Sequence, residues 1–309
     1  MLISIIIPVF NARPYLKCCL NSIVSKNMNN YEIVLIDDGS TDGSEKIAHD
    51  YVHSYKNIKL IRQKNQGAFS ARNTGIISAK GDYILFLDAD DYLLEGSVNY
   101  LLDIVMQKEY DIIFFGLRLF GSNYKLKTKP YLPRVTKYSN ILYRMFLDSN
   151  SLAGYMGGKL IRKDIARQAL TLFNFLNKRL ELYEDCFFLF CASIYCKTGL
   201  VVTKKLYLYR IHHHSITQKT IRPDVKLKQL ETARSCFEEL KKEPAVQNHP
   251  YGLQALDRIK AVILSSELIV EANNTNYIKN IYKAWQLDSR VTNLMRIMLY
   301  IISFGKIRR

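Results

Sequence analysis

The chain has 309 residues and little of what marks a disulfide-bonded, zinc-binding or disordered protein. Its six cysteines form no CxxC pair and no zinc-type spacing, which predicts buried thiols in a reducing compartment. The presence of only 7 prolines and 14 glycines, without a low-complexity tract, excludes a collagen-like or disordered chain. The chain is long enough to fold as a large domain with a smaller appendage, and its 48% hydrophobic residues can form a sizeable core.

Targeting and membrane-spanning segments are absent from the sequence as well. The N-terminal residues lack the charged region and cleavage site of a signal peptide, which predicts a cytoplasmic protein. The apolar stretch 297–304 is far shorter than the roughly 20 residues that span a bilayer. A basic tail follows it, with Lys306, Arg308 and Arg309. This combination favours either a peripheral helix on an anionic membrane surface or a helix that packs on the rest of the protein.

The first third of the chain has no excess of positive charge, although the net charge is +16. Residues 1–100 hold 10 Lys or Arg and 11 Asp or Glu, so the excess lies in the remainder. A basic remainder favours an anionic partner or is simply a solvated surface. We expect no nucleic acid among the partners, because the acidic clusters near residues 37 and 88 would repel its phosphates.

Short β-branched runs alternate with amphipathic stretches in the first 115 residues, which is typical of βα units around a parallel sheet. The predicted strands cover 2–7, 31–36, 57–62, 82–87 and 111–115. The predicted helices cover 12–26, 42–55, 67–79 and 95–108. The alternation fades after residue 116, and the pattern becomes helical from Pro223 onward, which places a boundary near residue 220. The fold class predicted is α/β.

An acidic cluster directly follows the strand predicted at 82–87: Asp88, Ala89, Asp90 and Asp91. Ligands of open α/β sheets bind at the carboxyl ends of the strands. Carboxylates at i and i+2 can turn oxygen donors toward one hard cation, which then neutralises a diphosphate. A solvated turn that caps the next helix explains the same residues equally well.

A second acidic cluster, Asp37 and Asp38 followed by Gly39, ends the strand predicted at 31–36. Two such clusters on neighbouring strand ends predict one shared site. Aspartate accepts hydrogen bonds from a base N–H or from ribose hydroxyls, and Gly39 lets the backbone approach a ligand closely. The alternative is a turn before a helix.

Three further segments complete the candidate site. Arg72 brings a guanidinium toward it, in the helix predicted at 67–79. The pair Glu184 and Asp185 precedes an apolar helix and is a candidate for a catalytic base, or else complements the dipole of that helix. The first strand ends in four residues that offer a surface for a base: Pro8, Val9, Phe10 and Asn11.

Seven segments of the chain, in this order and at this spacing, resemble the family 2 glycosyltransferases with the GT-A fold. They are SIIIPVFN, VLIDDGSTD, NQGAFSARNTGI, DYILFLDADD, MGGKLIRKDI, YEDCFF and LYRIHHHSIT, and the similarity covers about residues 1–217. The resemblance implies a Rossmann-like mixed sheet flanked by helices. It implies a catalytic domain at 1–220, divided into a nucleotide-sugar-binding half (1–115) and an acceptor-side half (116–220). A helical C-terminal region would follow at 221–309.

The resemblance also implies roles for residues on the nucleotide side. Pro8 to Phe10 and Asp38 would hold the uracil of a UDP-sugar, and Arg72 would border the nucleotide. Asp88 and Asp90 match an Asp-any-Asp motif, so Asp90 would ligate Mn²⁺ or Mg²⁺ while Asp88 faces the ribose or the metal shell.

Further roles follow on the acceptor side. Asp185 matches the base that deprotonates the acceptor hydroxyl, which implies one displacement with inversion at the anomeric carbon. Arg210 and His212 match a region that closes over the diphosphate, where they would contact phosphate or metal. The chain departs from the family at Gly157 and Gly158, because many members have Asn before the following Lys-Leu.

The function implied is transfer of a hexose or N-acetylhexosamine from a UDP-sugar to a glycan or lipid-linked acceptor. Synthesis of bacterial surface polysaccharide or lipopolysaccharide is the expected setting. A dehydrogenase is excluded because no glycine-rich loop follows the first strand. A non-catalytic scaffold that binds nucleotide sugars with the same fold remains the alternative.

Overall fold

The computed structural model describes residues 1–24, 30–121, 137–138, 140–147, 155–212 and 221–270. The strands within these ranges are β1 (Ile3–Val9), β2 (Tyr31–Asp37), β3 (Ile58–Arg62), β4 (Tyr83–Phe86), β5 (Tyr92–Leu93), β6 (Ile112–Phe120), β7 (Lys137–Tyr138), β8 (Lys159–Arg162) and β9 (Gly199–Arg210). The helices are α1 (Arg13–Asn21), α2 (Ser44–Ser54), α3 (Ala68–Ser78), α4 (Ser97–Gln107), α5 (Ile141–Phe146), α6 (Lys163–Thr171), α7 (Glu184–Tyr195), α8 (Pro223–Leu240), α9 (Pro244–Gln247) and α10 (Gly252–Val270).

The strands form one mixed sheet in the order β3, β2, β1, β4, β8, β6, β9 and β5, with β7 paired to β9. The first four strands in this order run parallel, whereas β8 runs antiparallel to both β4 and β6. A parallel sheet is covered by helices on both faces, so its strands are apolar throughout. In β1, Ile6 packs into one core, while Ile5 and Ile7 pack into the core on the other face.

The architecture predicted for the first 115 residues is confirmed. Each of the five predicted strands and four predicted helices is present, and most ends differ by at most two residues, as is usual for helix and strand termini. Two ends were wrong by five residues, because the first helix ends at Asn21 and the strand predicted at 111–115 continues to Phe120. The mixed α/β sheet flanked by helices is also the GT-A architecture that the motifs implied.

The second half of the sheet is built differently, by pairs that are distant in sequence. Strand β6 pairs in parallel with β9, and the register shifts around Gly116. A side chain at Gly116 would meet the Thr203 carbonyl at 2.9 Å, so glycine permits this close approach of the two strands. The irregularity lets β9 extend to Arg210, at the same edge as the end of β4.

The C-terminal helices share a core with the helices that cover the sheet. Six large side chains of α5, α7, α8 and α10 belong to one buried cluster: Phe146, Phe187, Leu230, Phe237, Leu256 and Ile263. Up to Val270, the helical region therefore packs on the rest of the protein. The domain boundary near 220 stays a prediction, and the apolar stretch 297–304 with its basic tail lies outside the described residues. Within the described ranges, no helix is both long and apolar enough to cross a bilayer.

Candidate functional site

The carboxyl ends of β1, β2 and β4 meet at one edge of the sheet. The Asp38 N–H donates to the Val9 carbonyl at 2.8 Å, and the Leu87 N–H donates to the Ile6 carbonyl at 3.1 Å. The two predicted acidic clusters and the residues that end β1 therefore lie side by side. We call the segments 8–11, 37–39 and 88–90 the strand-end loops.

Asp38 is the most completely hydrogen-bonded acid at this edge. Its Oδ1 accepts from the Gln63 side chain at 2.8 Å and from the Gln66 N–H at 2.9 Å. Its Oδ2 accepts from the Gly67 N–H at 2.7 Å. Asp38 is almost fully buried, so these bonds fix its position before any ligand binds.

Asp37 and Asn11 hold the loops together. Asp37 is fully buried, with Oδ1 accepting from the Ser40 N–H at 3.0 Å and Oδ2 at 3.3 Å from the Arg62 Nε. Asn11 has a left-handed backbone, with φ of 49°, and its Oδ1 accepts from the Thr41 N–H at 2.9 Å. These contacts are structural, and they support the loops on which ligand contacts would depend.

An exposed apolar surface lies beside the bonded loops. The Phe10 side chain is 51% exposed, which is unusual for a phenylalanine, whereas the neighbouring Val9 is fully buried. Gly39 adopts a φ of 77°, a left-handed conformation that favours glycine. This loop thus offers a flat aromatic surface beside a buried carboxylate.

Arg72 connects the strand-end loops to helix α7. Its Nη2 lies 3.0 Å from the Asp88 Oδ1, and its Nη1 lies 2.6 Å from the Asp185 Oδ1. The Glu184 Oε1 is more distant, at 3.9 Å. A single buried guanidinium therefore joins the end of β4 to the N-terminus of α7, although these residues are about a hundred positions apart. We call Glu184 and Asp185 the acidic pair.

The acidic pair sits where the charged state of a carboxylate is costly. Burial and the adjacent Asp185 raise the pKa of Glu184 to about 8, and Arg72 opposes this shift. Burial also raises the pKa of Asp185, while Arg72 and Lys159 oppose it. The shorter contact to Arg72 makes Asp185 the carboxylate that holds the negative charge. Strong perturbation of this kind is typical of functional sites.

At the other side of Asp88, the Asp90 carboxylate meets His212. The Asp90 Oδ2 lies 2.8 Å from the His212 Nε2, and the His212 Nδ1 lies 3.2 Å from the Tyr15 hydroxyl. Burial and the nearby Asp88 raise the pKa of Asp90, and His212 opposes this shift. The structure thus brings His212 next to Asp90, while its predicted contact with phosphate or metal stays a prediction. His213 and His214 lie outside the described residues.

Asp91 and Arg210 contact the segment around Asp90. Asp91 is fully buried and accepts from the Tyr207 hydroxyl at 2.6 Å and from the Arg210 N–H at 2.7 Å. The Arg210 guanidinium donates to the Asp90 carbonyl at 3.0 Å and lies over the ring of Tyr92 at 4.7 Å. Asp91 is thus a structural acid, whereas Asp88 and Asp90 are partly exposed.

The residues at the end of β4 suit a hard divalent cation. Asp88 and Asp90 are crowded, partly exposed carboxylates, and a cation would relieve their mutual repulsion. Among the described residues, no group of three or more His, Cys, Asp or Glu side chains is arranged to hold a metal ion. A cation at this position would therefore need substrate phosphates and water to complete its shell, as Mg²⁺ sites commonly do.

The loop Tyr155–Gly158 lies behind the acidic pair and contains the departure from the family motif. Lys159 is almost fully buried, and its Nζ donates to the carbonyls of Tyr155 and Gly157. Burial lowers the pKa of Lys159 to about 8, and Asp185 opposes the shift. A side chain at Gly157 would meet the Tyr155 ring at 2.7 Å, so the glycine allows the loop to fold onto the lysine.

Several contacts of the site were missed by reasoning from the sequence. Gln63 and Tyr15 touch predicted site residues but belong to no motif. Gly67 lies in the segment NQGAFSARNTGI, but its contact with Asp38 was not predicted. Lys159 lies in the segment MGGKLIRKDI, but no strand is predicted there from the sequence. The burial of Lys159 became evident only from the sheet order.

Comparisons with known proteins agree with this geometry. The model of Glycosyl transferase family 2 matches residues 4–170. The chain is 30% identical over 225 residues to the uncharacterized glycosyltransferase EpsJ of Bacillus subtilis, a match covering 72% of this chain and 64% of EpsJ. It is also 30% identical over 217 residues to the cholesterol galactosyltransferase of Borreliella burgdorferi, covering 67% of this chain and 59% of that protein. The matches thus span less than two thirds of these relatives.

A solved structure shows the same fold. The crystal structure of S. aureus TarS 1-349 in complex with UDP-GlcNAc matches with a TM-score of 0.67 and 19% identity, covering 99% of this chain and 88% of that one. The fold is therefore that of a GT-A transferase. The family model covers more than half of the sequence, and the chain belongs to glycosyl transferase family 2.

Proposed function

We propose that the chain is an inverting glycosyltransferase that moves a hexose or N-acetylhexosamine from a UDP-sugar to a hydroxyl of a glycan or lipid-linked acceptor. The observation that carries this proposal is the position of Arg72. Its guanidinium contacts Asp88 on the donor side and Asp185 on the opposite side. A nucleotide site and a candidate base are thereby brought together, as a single displacement requires.

Asp185 is the base in this proposal. It lies at the N-terminus of α7, partly exposed and paired with Arg72, so it is ionised while its neighbour Glu184 carries a proton. A carboxylate in a desolvated position accepts a proton from a hydroxyl more readily than one in water. Attack from this side, with UDP leaving from the strand-end loops, inverts the anomeric carbon.

The donor is bound by the strand-end loops. Asp38 is held by three hydrogen bonds, which leaves its carboxylate oriented for a base N–H, and exposed Phe10 offers a ring against which the base stacks. TarS, which shares the fold, was crystallised in complex with UDP-GlcNAc and with UDP. These observations support uridine as the nucleotide.

Mn²⁺ or Mg²⁺ is the proposed cofactor, held by Asp90 with Asp88 and His212 beside it. Such a cation, when bound, stabilises negative charge on the departing diphosphate. Arg210, which donates to the Asp90 carbonyl, would hold the same cluster in place and supply a further positive charge.

The acceptor and the location of the protein are proposed from the charge of the chain and from one relative. The basic remainder of the chain suits an acceptor anchored by a lipid phosphate on the cytoplasmic face of a membrane, where surface polysaccharides are assembled. The cholesterol galactosyltransferase is a relative whose acceptor is a lipid. Removal of residues 290–309 should reduce co-sedimentation with anionic vesicles, and unchanged co-sedimentation would reject peripheral membrane binding through this segment.

Release of UDP from a panel of UDP-sugars tests the proposed function most directly. We expect slow hydrolysis of one donor in the presence of Mn²⁺ and loss of this activity with EDTA, because the cation is needed to stabilise the leaving group. Binding of UDP should be measured calorimetrically in the same samples. Binding without turnover, even after acceptors are supplied, would identify a non-catalytic nucleotide-sugar-binding scaffold. Absence of binding would reject the uridine assignment.

A further inference from the structure

The residue before the acidic pair has an unusual backbone. Tyr183 has a φ of 63°, a left-handed conformation that is unfavourable for a bulky residue. Its carbonyl accepts from the Phe187 N–H at 2.9 Å, so Tyr183 forms the first turn of α7. The direction in which α7 begins, and with it the direction of Glu184 and Asp185, depends on how Tyr183 is held.

The Tyr183 side chain is anchored on a C-terminal helix. Its ring is partly buried against the large core cluster. Its hydroxyl forms a hydrogen bond with the Ser266 Oγ of α10. A left-handed tyrosine persists only where its surroundings determine it, and the ring packing together with this bond are the contacts that do so.

The segment just upstream is held by the other long C-terminal helix. The Glu181 Oε2 accepts from the Gln229 side chain of α8, and the Glu181 Oε1 lies 2.6 Å from the Arg179 Nε. Arg179 also donates to the Asn65 Oδ1 at 2.8 Å, next to the loop whose amides bind Asp38. Contacts of Arg179, Glu181 and Tyr183 therefore hold residues 179–183 between the loop next to Asp38 and the acidic pair.

The two long C-terminal helices, α8 and α10, are joined to each other by an ion pair. The Arg234 Nε of α8 lies 2.9 Å from the Glu267 Oε1 of α10, and Glu267 is almost fully buried. Ser266 is adjacent to this pair in sequence, so its position is tied to both helices.

We propose that Tyr183 is a positioning residue and that the C-terminal helices, through Ser266, fix the start of α7 so that Asp185 faces Arg72. The proposal rests on the proposed function where it treats Asp185 as the base. Its structural part, the dependence of the start of α7 on Ser266, is independent of any activity. The helical C-terminal region then belongs to the machinery that orients the base.

Steady-state kinetics of three variants test the catalytic consequence. Tyr183→Phe and Ser266→Ala should each lower kcat roughly three- to tenfold, the effect of losing one hydrogen bond, with an unchanged KM for the UDP-sugar. Ser266→Thr keeps the hydroxyl and should retain the wild-type kcat. The variant that combines Tyr183→Phe with Ser266→Ala should be no slower than either single variant, because both remove the same bond.

Hydrogen exchange of the same proteins tests the structural part without any substrate. Amides of residues 184–188 should exchange about tenfold faster in Tyr183→Phe and in Ser266→Ala than in wild type, because the first turn of α7 opens more often. Tyr195→Phe is the matched control, since it removes a hydroxyl that bonds to Thr171 at the far end of the same helix. It should leave both kcat and exchange at residues 184–188 unchanged.

The outcomes separate this inference from the proposed function. Faster exchange with lower kcat supports both. Faster exchange in a chain without transferase activity rejects the proposed function and leaves the support of α7 by α10 established. Unchanged exchange at residues 184–188 overturns the inference, whatever the activity, as does a wild-type kcat in both single variants.

Discussion

The strand-end loops and the N-terminus of α7 carry acids of the same kind in opposite environments. Asp38, on the loops, accepts hydrogen bonds from three donors at 2.7 to 2.9 Å. The acidic pair has one close cation, Arg72, and burial raises the pKa of both carboxylates. The loops thus hold a charged carboxylate with several hydrogen bonds, whereas burial at the start of α7 favours the neutral form of its carboxylates.

This difference follows from how each region is assembled. The loops follow parallel strands that are close in sequence, so backbone amides are available to bond their acids. The start of α7 is placed by packing between distant elements, and Arg72, Lys159 and the Met156 N–H balance the charge of Asp185. Catalytic sites tolerate such imbalance where a scaffold fixes the geometry.

Substitution Asp185→Asn should have the largest effect. It is nearly isosteric but cannot accept the acceptor proton, so transfer should fall on the order of 10²–10⁴-fold, the range for loss of a general base. UDP affinity should be unchanged, because Asp185 lies on the far side of Arg72. Transfer to an acceptor and calorimetric UDP binding are the measurements.

Asp164→Asn is the matched control for that substitution. Asp164 also lies in the first turn of a helix and pairs with an arginine, with its Oδ1 2.6 Å from the Arg162 Nε. It is exposed and far from the site, so we expect wild-type transfer. Retained transfer in Asp185→Asn would place the base elsewhere and remove the contrast between the two regions.

Substitution Asp90→Ala should have the second-largest effect on turnover. Loss of the proposed metal ligand should lower turnover roughly 10²–10³-fold, comparable with the removal of other groups that stabilise developing charge. The Mn²⁺ dependence of UDP binding should weaken in parallel, measured by titration of Mn²⁺ with UDP present. Asp103→Ala, an exposed acid on α4, is the control, and an unaltered Mn²⁺ dependence in Asp90→Ala would contradict the ligand assignment.

The strand-end loops were predictable from the sequence because local patterns determine them. Short, nearly continuous apolar runs identify β1, β2 and β4, and the polar residues that end them must lie at one edge of a parallel sheet. The structure places Asp38 and Asp88 at one edge, but at the ends of strands separated by β1 rather than adjacent as predicted, and the roles of these residues remain predictions.

The start of α7 was not predictable in the same way. Its motif was recognised, but its place depends on β8 running antiparallel between β4 and β6, and on a tyrosine held by a helix some eighty residues later. The contacts of Lys159 and Ser266 arise from tertiary packing, for which the sequence contains no local signal.

Substitution Asp38→Asn tests the strand-end loops, where three hydrogen bonds hold the carboxylate. An amide cannot accept all three hydrogen bonds, so one buried donor loses its partner, which costs about 1–3 kcal/mol of stability. UDP affinity should fall about tenfold, since a displaced side chain no longer faces the base. Thermal unfolding and calorimetry measure the two effects. Asp42→Asn, a partly buried acid nearby that also accepts hydrogen bonds from backbone N–H groups, should change UDP affinity little. Equal losses in both variants would argue against specific contact of Asp38 with the base.

Substitution Glu184→Gln should have the smallest effect on turnover, about threefold or less, because the folded protein already holds this side chain in its neutral form.

The effect of Glu184→Gln on stability should instead depend on pH. The raised pKa of Glu184, about 8, means that the native state retains a proton that the unfolded state releases above about pH 4.5, so wild-type stability falls as pH rises between these values. Glutamine removes this dependence. The free energy of unfolding of the variant relative to wild type should therefore rise from pH 5 to pH 8, by on the order of 1–3 kcal/mol. Urea unfolding at both pH values measures it, with Glu181→Gln as the partly exposed control. A constant difference across this range would mean that Glu184 is ionised in the native state, and the contrast between a stiff and a reactive acidic region would then rest on Asp185 alone.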